Sequence, residues 1–113
     1  MAQIIEIEGL PGETARQFEG YLYGGVPVSF FLSTTAPGRG PALHTHPYAE
    51  VFIVQKGQLT FRVADEIIEA RAGQIVIAPA DVPHQFLNTG SDTACHIDIH
   101  LSSRMQTTWL NEQ

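Results

Sequence analysis

The chain has 113 residues, 43% of them hydrophobic and 16% charged, and twelve acidic against six basic side chains leave a formal charge of -6. That is enough apolar material for one buried core. The basic residues Arg16, Arg39, Lys56, Arg62, Arg71 and Arg104 are dispersed, so nothing in the sequence offers the positive surface that nucleic acid or an anionic membrane requires.

No apolar run approaches the roughly 20 residues that span a bilayer, and residues 1–10 carry Glu6 and Glu8 rather than a basic and apolar leader, so no signal peptide is expected. The single cysteine, Cys95, cannot form an internal disulfide, which suits a reducing compartment, and a cytoplasmic protein is expected. Lying in an apolar-alternating segment, Cys95 is expected to be a small buried hydrophobe.

Ten glycines and seven prolines fall between short β-rich runs, and no segment sustains a helical period. This is the punctuation of an all-β domain. Strands are expected over residues 4–7, 17–22, 28–34, 43–46, 51–55, 58–64, 66–71, 75–78, 84–87 and 94–101. Leu59, Phe61 and Val63 alternate with Gln58, Thr60 and Arg62, which places the apolar set on one face of a half-buried strand. Ile75, Val76 and Ile77 are apolar in succession, so both faces should be covered, with a second subunit a candidate for the outer one. Such short strands must close on themselves or stack as two sheets to remove their edges. The tail, residues 102–113, is expected to end in a helical turn around Trp109 and Leu110 docked on the body.

Four side chains stand out. His44 and His46 are two apart, the spacing that puts both imidazoles on one face of a strand. Pro47 interrupts ladder pairing, and Glu50 emerges beyond it with the inward parity of Phe52 and Val54. His84 opens a later strand after Pro79 and Pro83, from which it approaches the other three. Three imidazoles and a carboxylate form an N/O set suited to a divalent transition metal; on an octahedron they leave two positions for water, oxygen or substrate.

The segment Gly38-x5-His44-x-His46-x3-Glu50-x6-Gly57 resembles the first motif of the cupin superfamily, and Gly73-x5-Pro79-x-Asp81-x2-His84-x3-Asn88 resembles the second. The short stretch between them is like that of small microbial cupins. Asp81 stands where the family usually has glycine; Asp tolerates the positive φ that such a position demands, and a supporting contact to a ligand histidine is the alternative role for it. Asn88 reads as a turn residue leading to Thr89 and Gly90.

The resemblance implies one cupin domain over residues 1–113, with motifs at 38–57 and 73–88, folded as a jelly-roll β-barrel of short antiparallel strands. It implies His44, His46, Glu50 and His84 as ligands for iron, manganese, nickel, zinc or copper. It also implies a homodimer.

On the last long strand, Cys95, Ile97, Ile99 and Leu101 alternate with His96, Asp98 and His100. The plainer expectation puts the apolar set inside and the polar set on the surface. The alternative turns the polar set into a pocket, covers the apolar face with a partner, and makes His100 an acid, base or orienting group. Phe52 and Phe86 share the inward parity of Glu50 and His84 and are candidate pocket walls, and Tyr48, in the bend, is a candidate contact or gate. Such a pocket suits a small, partly hydrophobic ligand with a metal-binding oxygen. Two functions fit: a metal-dependent enzyme of dioxygenase, isomerase or lyase type, and a non-catalytic module that binds or senses a small molecule at the same site.

Overall fold

The alternation of apolar and polar residues resolves into strands wherever two faces meet different surroundings. The computed structural model describes residues 2–110, and among them it has ten strands: β1 (Ala15–Glu19), β2 (Ser29–Thr35), β3 (His44–Thr45), β4 (Glu50–Lys56), β5 (Gln58–Val63), β6 (Glu66–Arg71), β7 (Gln74–Ala78), β8 (His84–Leu87), β9 (Ala94–His100) and β10 (Thr108–Trp109). They pair antiparallel into two five-stranded sheets, ordered β1-β2-β9-β4-β7 and β10-β3-β8-β5-β6. The sheets form a jelly roll. From β2 to β10 every connection except β5 to β6 passes from one sheet to the other, so strands adjacent in sequence face each other across the interior.

One half of that interior is apolar. Leu59, Phe61 and Val63 of β5 turn inward as their alternation requires and meet Phe52, Val54, Val76, Ala78 and Ala94. Each large side chain buried there contributes about 1.5–3 kcal/mol relative to exposure. The other half is polar: His44, His46, Glu50, His84, His96, Asp98 and His100 are all buried. The motif glycine Gly57 takes φ +77 where the chain turns against Ala94, and Asp81 takes φ +64, the conformation expected of the residue that replaces glycine.

Several expectations need correction. Residues 4–7 form no strand; Ile7–Gly9 is a single 3-10 turn, and residues 4–9 are all exposed, so the segment buries no apolar face that would hold it as a strand. The strand expected at 17–22 begins earlier, at Ala15, and ends where Gly20 turns tightly against the Val26 and Val28 carbonyls. Thr108 and Trp109 make no helical turn but extend the second sheet along β3, as a β-branched and an aromatic residue do beside an open edge; residues 111–113 of the tail lie outside the described residues. Val76 is buried while Ile75 and Ile77 are exposed, so within the chain only one face of β7 is covered.

The largest correction concerns β9. His96, Asp98 and His100 point inward and Cys95, Ile97 and Ile99 outward, the reverse of the plainer expectation. Register leaves no choice: Glu50 pairs with His100 and Phe52 with Asp98, so these residues share one face of the sheet. Cys95 is half-buried on the outer side, not a core hydrophobe.

Asn88 is more than a turn residue. Its side-chain amide donates to the Thr35 and Asp92 carbonyls at 2.8 and 2.9 Å, and its Oδ1 accepts from Gly90 N–H at 2.9 Å. Its backbone also exchanges hydrogen bonds with the 38–39 segment, which ties the loop after β2 to the end of β8. No helix among the described residues is long and apolar enough to cross a membrane. Asn88→Asp keeps the shape but turns a double donor into an acceptor facing two carbonyls, and it should cost about 2–4 kcal/mol in urea denaturation; a change below about 0.5 kcal/mol would show that the backbone bonds alone hold this junction.

Candidate metal centre

Each of the four motif side chains is delivered by a different piece of backbone. His44 on β3 lies directly across the strand pair from His84 on β8, with ring centroids 4.5 Å apart. His46 follows just past the end of β3, where its carbonyl accepts the Asp81 N–H at 2.8 Å. Pro47 and the short link to β4 carry the chain to the opposite sheet, where Glu50 begins the strand. The candidate ligand atoms of His44, His46, Glu50 and His84 all lie within 4.8 Å of one another, and all four residues are buried.

Backbone carbonyls set the tautomers. His44 Nδ1 lies 2.7 Å from the Ala42 carbonyl, His46 Nδ1 2.7 Å from the Gln106 carbonyl and His84 Nδ1 3.1 Å from the Val82 carbonyl. A carbonyl only accepts, so each Nδ1 must carry hydrogen, and in the neutral imidazole Nε2 then presents a lone pair to the shared centre. His46 Nε2 is buried without a properly angled hydrogen bond although Glu50 Oε1 is 3.0 Å away, and His84 Nε2 lies 3.1 Å from the same oxygen. Lone pairs and a carboxylate brought this close call for a cation between them, which a proton or a metal ion supplies. The donor set therefore fits a divalent transition metal.

The acid–base balance reflects the same demand. Burial opposes ionisation of Glu50, but the His100 hydrogen bond and the close approach of the His46 and His84 rings outweigh it and hold the carboxyl well below the usual carboxylate range. Burial pushes the His44 imidazole down, toward the neutral form that a ligand needs. Burial also opposes protonation of His46, yet Glu50 and the Gln106 carbonyl prevail and raise it.

His100 aims the carboxylate. The Gln106 N–H donates to Tyr48 Oη at 3.0 Å, and the Tyr48 hydroxyl lies 2.6 Å from His100 Nδ1. If the hydroxyl donates there, His100 carries its hydrogen on Nε2 and gives it to Glu50 Oε2 at 3.1 Å. Oε2 is thereby engaged, and Oε1 is left for the centre that His46 and His84 share. Tyr48 itself stacks flat behind His46, ring centroids 5.2 Å apart, and braces His100 through its hydroxyl.

His44, His46 and Glu50 open onto a cavity of about 630 Å³ between the sheets, while His84 stands behind them. Phe31, Phe52, Phe86 and Trp109 supply its apolar wall, with Asp98, His100 and threonines 14, 34, 35 and 107 as polar points and Arg39 at the rim. Trp109 stands 5.0 Å from the His44 ring and not in a docked helical turn; the signal for its true place is its Thr-rich, strand-forming context. Asp98 likewise reaches the cavity only because β9 is turned as it is.

Residues 31–100 match the family model of the cupin domain. The chain belongs to the cupin family. It is 36% identical over 72 residues to "Polyketide synthase CurC" of Streptomyces cyaneus, an alignment covering 63% of this chain and 46% of that protein. It is 35% identical over 71 residues to "Protein SchB" of Streptomyces halstedii, covering 62% and 51%. The chain thus spans about half the length of the curated relatives it matches. Among solved structures, an oxalate oxidase in complex with the substrate analogue glycolate superposes with a TM-score of 0.78 over 95% of this chain and 63% of that one, at 20% identity, a likeness of fold.

Because the Glu50 carboxyl is depressed in the folded cupin, its ionised form contributes stability above about pH 4.3, the unfolded value. That contribution is lost as pH falls through the folded value. In chelator-treated protein, urea midpoints should therefore fall more steeply for wild type than for Glu50→Gln on acidification from about pH 5 to pH 2; parallel curves would mean that the carboxylate is not preferentially stabilised.

Proposed function

We propose that this cupin binds a divalent transition metal through His44, His46, Glu50 and His84 and acts on a small, carbonyl-rich organic molecule held in the adjoining cavity. The convergence of three Nδ1-anchored imidazoles and one aimed carboxylate oxygen carries this reading. Iron, manganese, nickel, zinc and copper all accept such a set, and the bound ion would supply Lewis-acid polarisation of a ligand oxygen.

The lining residues support one class of ligand. Four aromatic side chains favour a planar, partly apolar body, and threonines with Arg39 favour oxygens along its edge. A cavity of about 630 Å³ is roomy for a two-carbon acid and suits a ring-containing compound. The relative named as a polyketide synthase points the same way, since polyketides are carbonyl-rich. Isomerisation, bond cleavage and attack by dioxygen are the reaction types that this arrangement accommodates. A cytoplasmic setting suits the lone cysteine.

We also assign the outer face of the first sheet to a second copy of the chain. Register aligns Phe30, Ile99, Val51 and Ile77 in one outward row and Leu32, Ile97, Ile53 and Ile75 in the next. Two continuous apolar rows across four strands are more than a solvated face carries.

Metal content of the purified protein tests the first claim. Loss of an outer partner typically costs 10–100-fold in metal affinity, so His84→Ala, which removes a ligand, should cost more than about 100-fold; full metal retention would overturn the assignment. Turnover of aromatic polycarbonyl compounds that vanishes in His84→Ala supports an enzyme, whereas tight reversible binding without product supports a binding module. For the interface, Ile75→Lys combined with Ile77→Lys should shift sedimentation from dimer to monomer and leave metal content unchanged; a wild-type monomer sinks that assignment.

A further inference from the structure

Beside the cavity lies a second pair of buried ionisable side chains that the four-residue centre leaves unused, and one of them, Asp98, reaches the wall. His96 and Asp98 project inward from β9 and are 1% and 4% exposed. Asp98 Oδ1 accepts a hydrogen bond from His96 Nδ1 at 2.6 Å, and His96 Nε2 lies 2.8 Å from the Thr35 hydroxyl. With Nδ1–H directed to the carboxylate, Nε2 of the neutral ring accepts from Thr35, so the histidine is fixed at both ends.

This tether uses only one oxygen of Asp98. Its hydrogen bond to His96 is made through Oδ1, and Asp98 lines the cavity. In register it lies between Phe31 on β2 and Phe52 on β4, so aromatic side chains flank it on both sides. Burial pushes the Asp98 carboxyl up, against the opposing pull of His96. A carboxylate so placed is a stronger base than one in water. Along β9 it is two residues from His100, which holds Glu50, a separation of roughly 7 Å. A ligand oxygen near Glu50 and a carbon one or two bonds away therefore reach both groups.

We propose that Asp98, oriented by His96 and Thr35, is a catalytic base that exchanges a proton with an enolisable carbonyl compound in this cavity; the proposal rests on the ligand class inferred above. The proton passes from the carbon beside the carbonyl to Oδ2 of ionised Asp98. The C–H electron pair becomes the C=C bond of the enolate, and the carbonyl π pair moves onto oxygen. Return of the proton to another carbon, or to the oxygen, completes an isomerisation and regenerates the carboxylate, and no oxidant or reductant is consumed.

The test uses 1-tetralone, an aromatic ketone, in D2O with the protein carrying its own metal. NMR follows deuterium entry beside the carbonyl, quenching of the single tryptophan, Trp109 on the cavity wall, reports occupancy, and mass spectrometry reports metal. Wild type should exchange the probe about 100-fold or more above buffer. Asp98→Asn, nearly isosteric, should return exchange to the buffer rate with quenching and metal content unchanged. His96→Gln should lower exchange about 10-fold, and its rate decides the matter if Asp98→Asn does not fold. Exchange in Asp98→Asn equal to wild type, or wild type that is quenched yet no faster than buffer, overturns the proposal while the metal centre stands. Wild type with neither metal nor quenching overturns the underlying reading and the proposal with it.

Discussion

Burying a carboxylate costs several kcal/mol unless charge and hydrogen bonds compensate, and Glu50 is placed where compensation comes from three imidazoles on both sheets. His46 and His84 approach Oε1 and His100 holds Oε2. Each of these contacts fixes a piece of backbone: the end of β3, the start of β8 and the end of β9. The polar half of the barrel is thus ordered around one anion, much as the apolar half is ordered around Phe52, Leu59 and Phe61. The outer ring nitrogens are committed to backbone carbonyls, so the site is oriented before any ligand arrives.

The two sheets divide the work. The second sheet supplies His44 and His84 from adjacent strands, and the first supplies Glu50, Asp98 and His100 from another adjacent pair. Because the chain passes between sheets at almost every turn, residues close in sequence reach the site from opposite walls. Motif spacing that is compact along the chain becomes a converging donor set by this route.

Much of this was legible in the residues. The i, i+2 histidines, the proline bend and the inward parity of Glu50 with Phe52 identify the converging group, and Leu59, Phe61 and Val63 declare the core. What stayed open between two readings was the facing of β9, and the structure takes the one with the polar set inward. Alternation fixes that two faces differ but not which one is interior, and the usual rule that apolar means inside fails in a sheet whose outer side is itself apolar across four strands. Only the pairing of Glu50 with His100 decides it, and pairing is a long-range property. Strand β10 escaped for a similar reason: two residues carry too little periodicity to announce a strand, and what makes them one is the open edge of β3.

Strand β10 is held by two paired residues and a hydrogen bond from Leu110 N–H to the Leu43 carbonyl. The segment leading into it provides the Gln106 carbonyl that orients His46 and the Gln106 N–H that orients Tyr48, while Trp109 closes the cavity wall. One small, shallowly anchored element therefore governs both the mouth of the cavity and the alignment of two side chains at its floor. Trp109 and the Gln106 carbonyl that holds His46 lie on one short segment, so its position sets a cavity wall and a candidate ligand together. A ligand that pressed on Trp109 would act on the same segment that orients His46, and by linkage any such effect would run equally in the other direction.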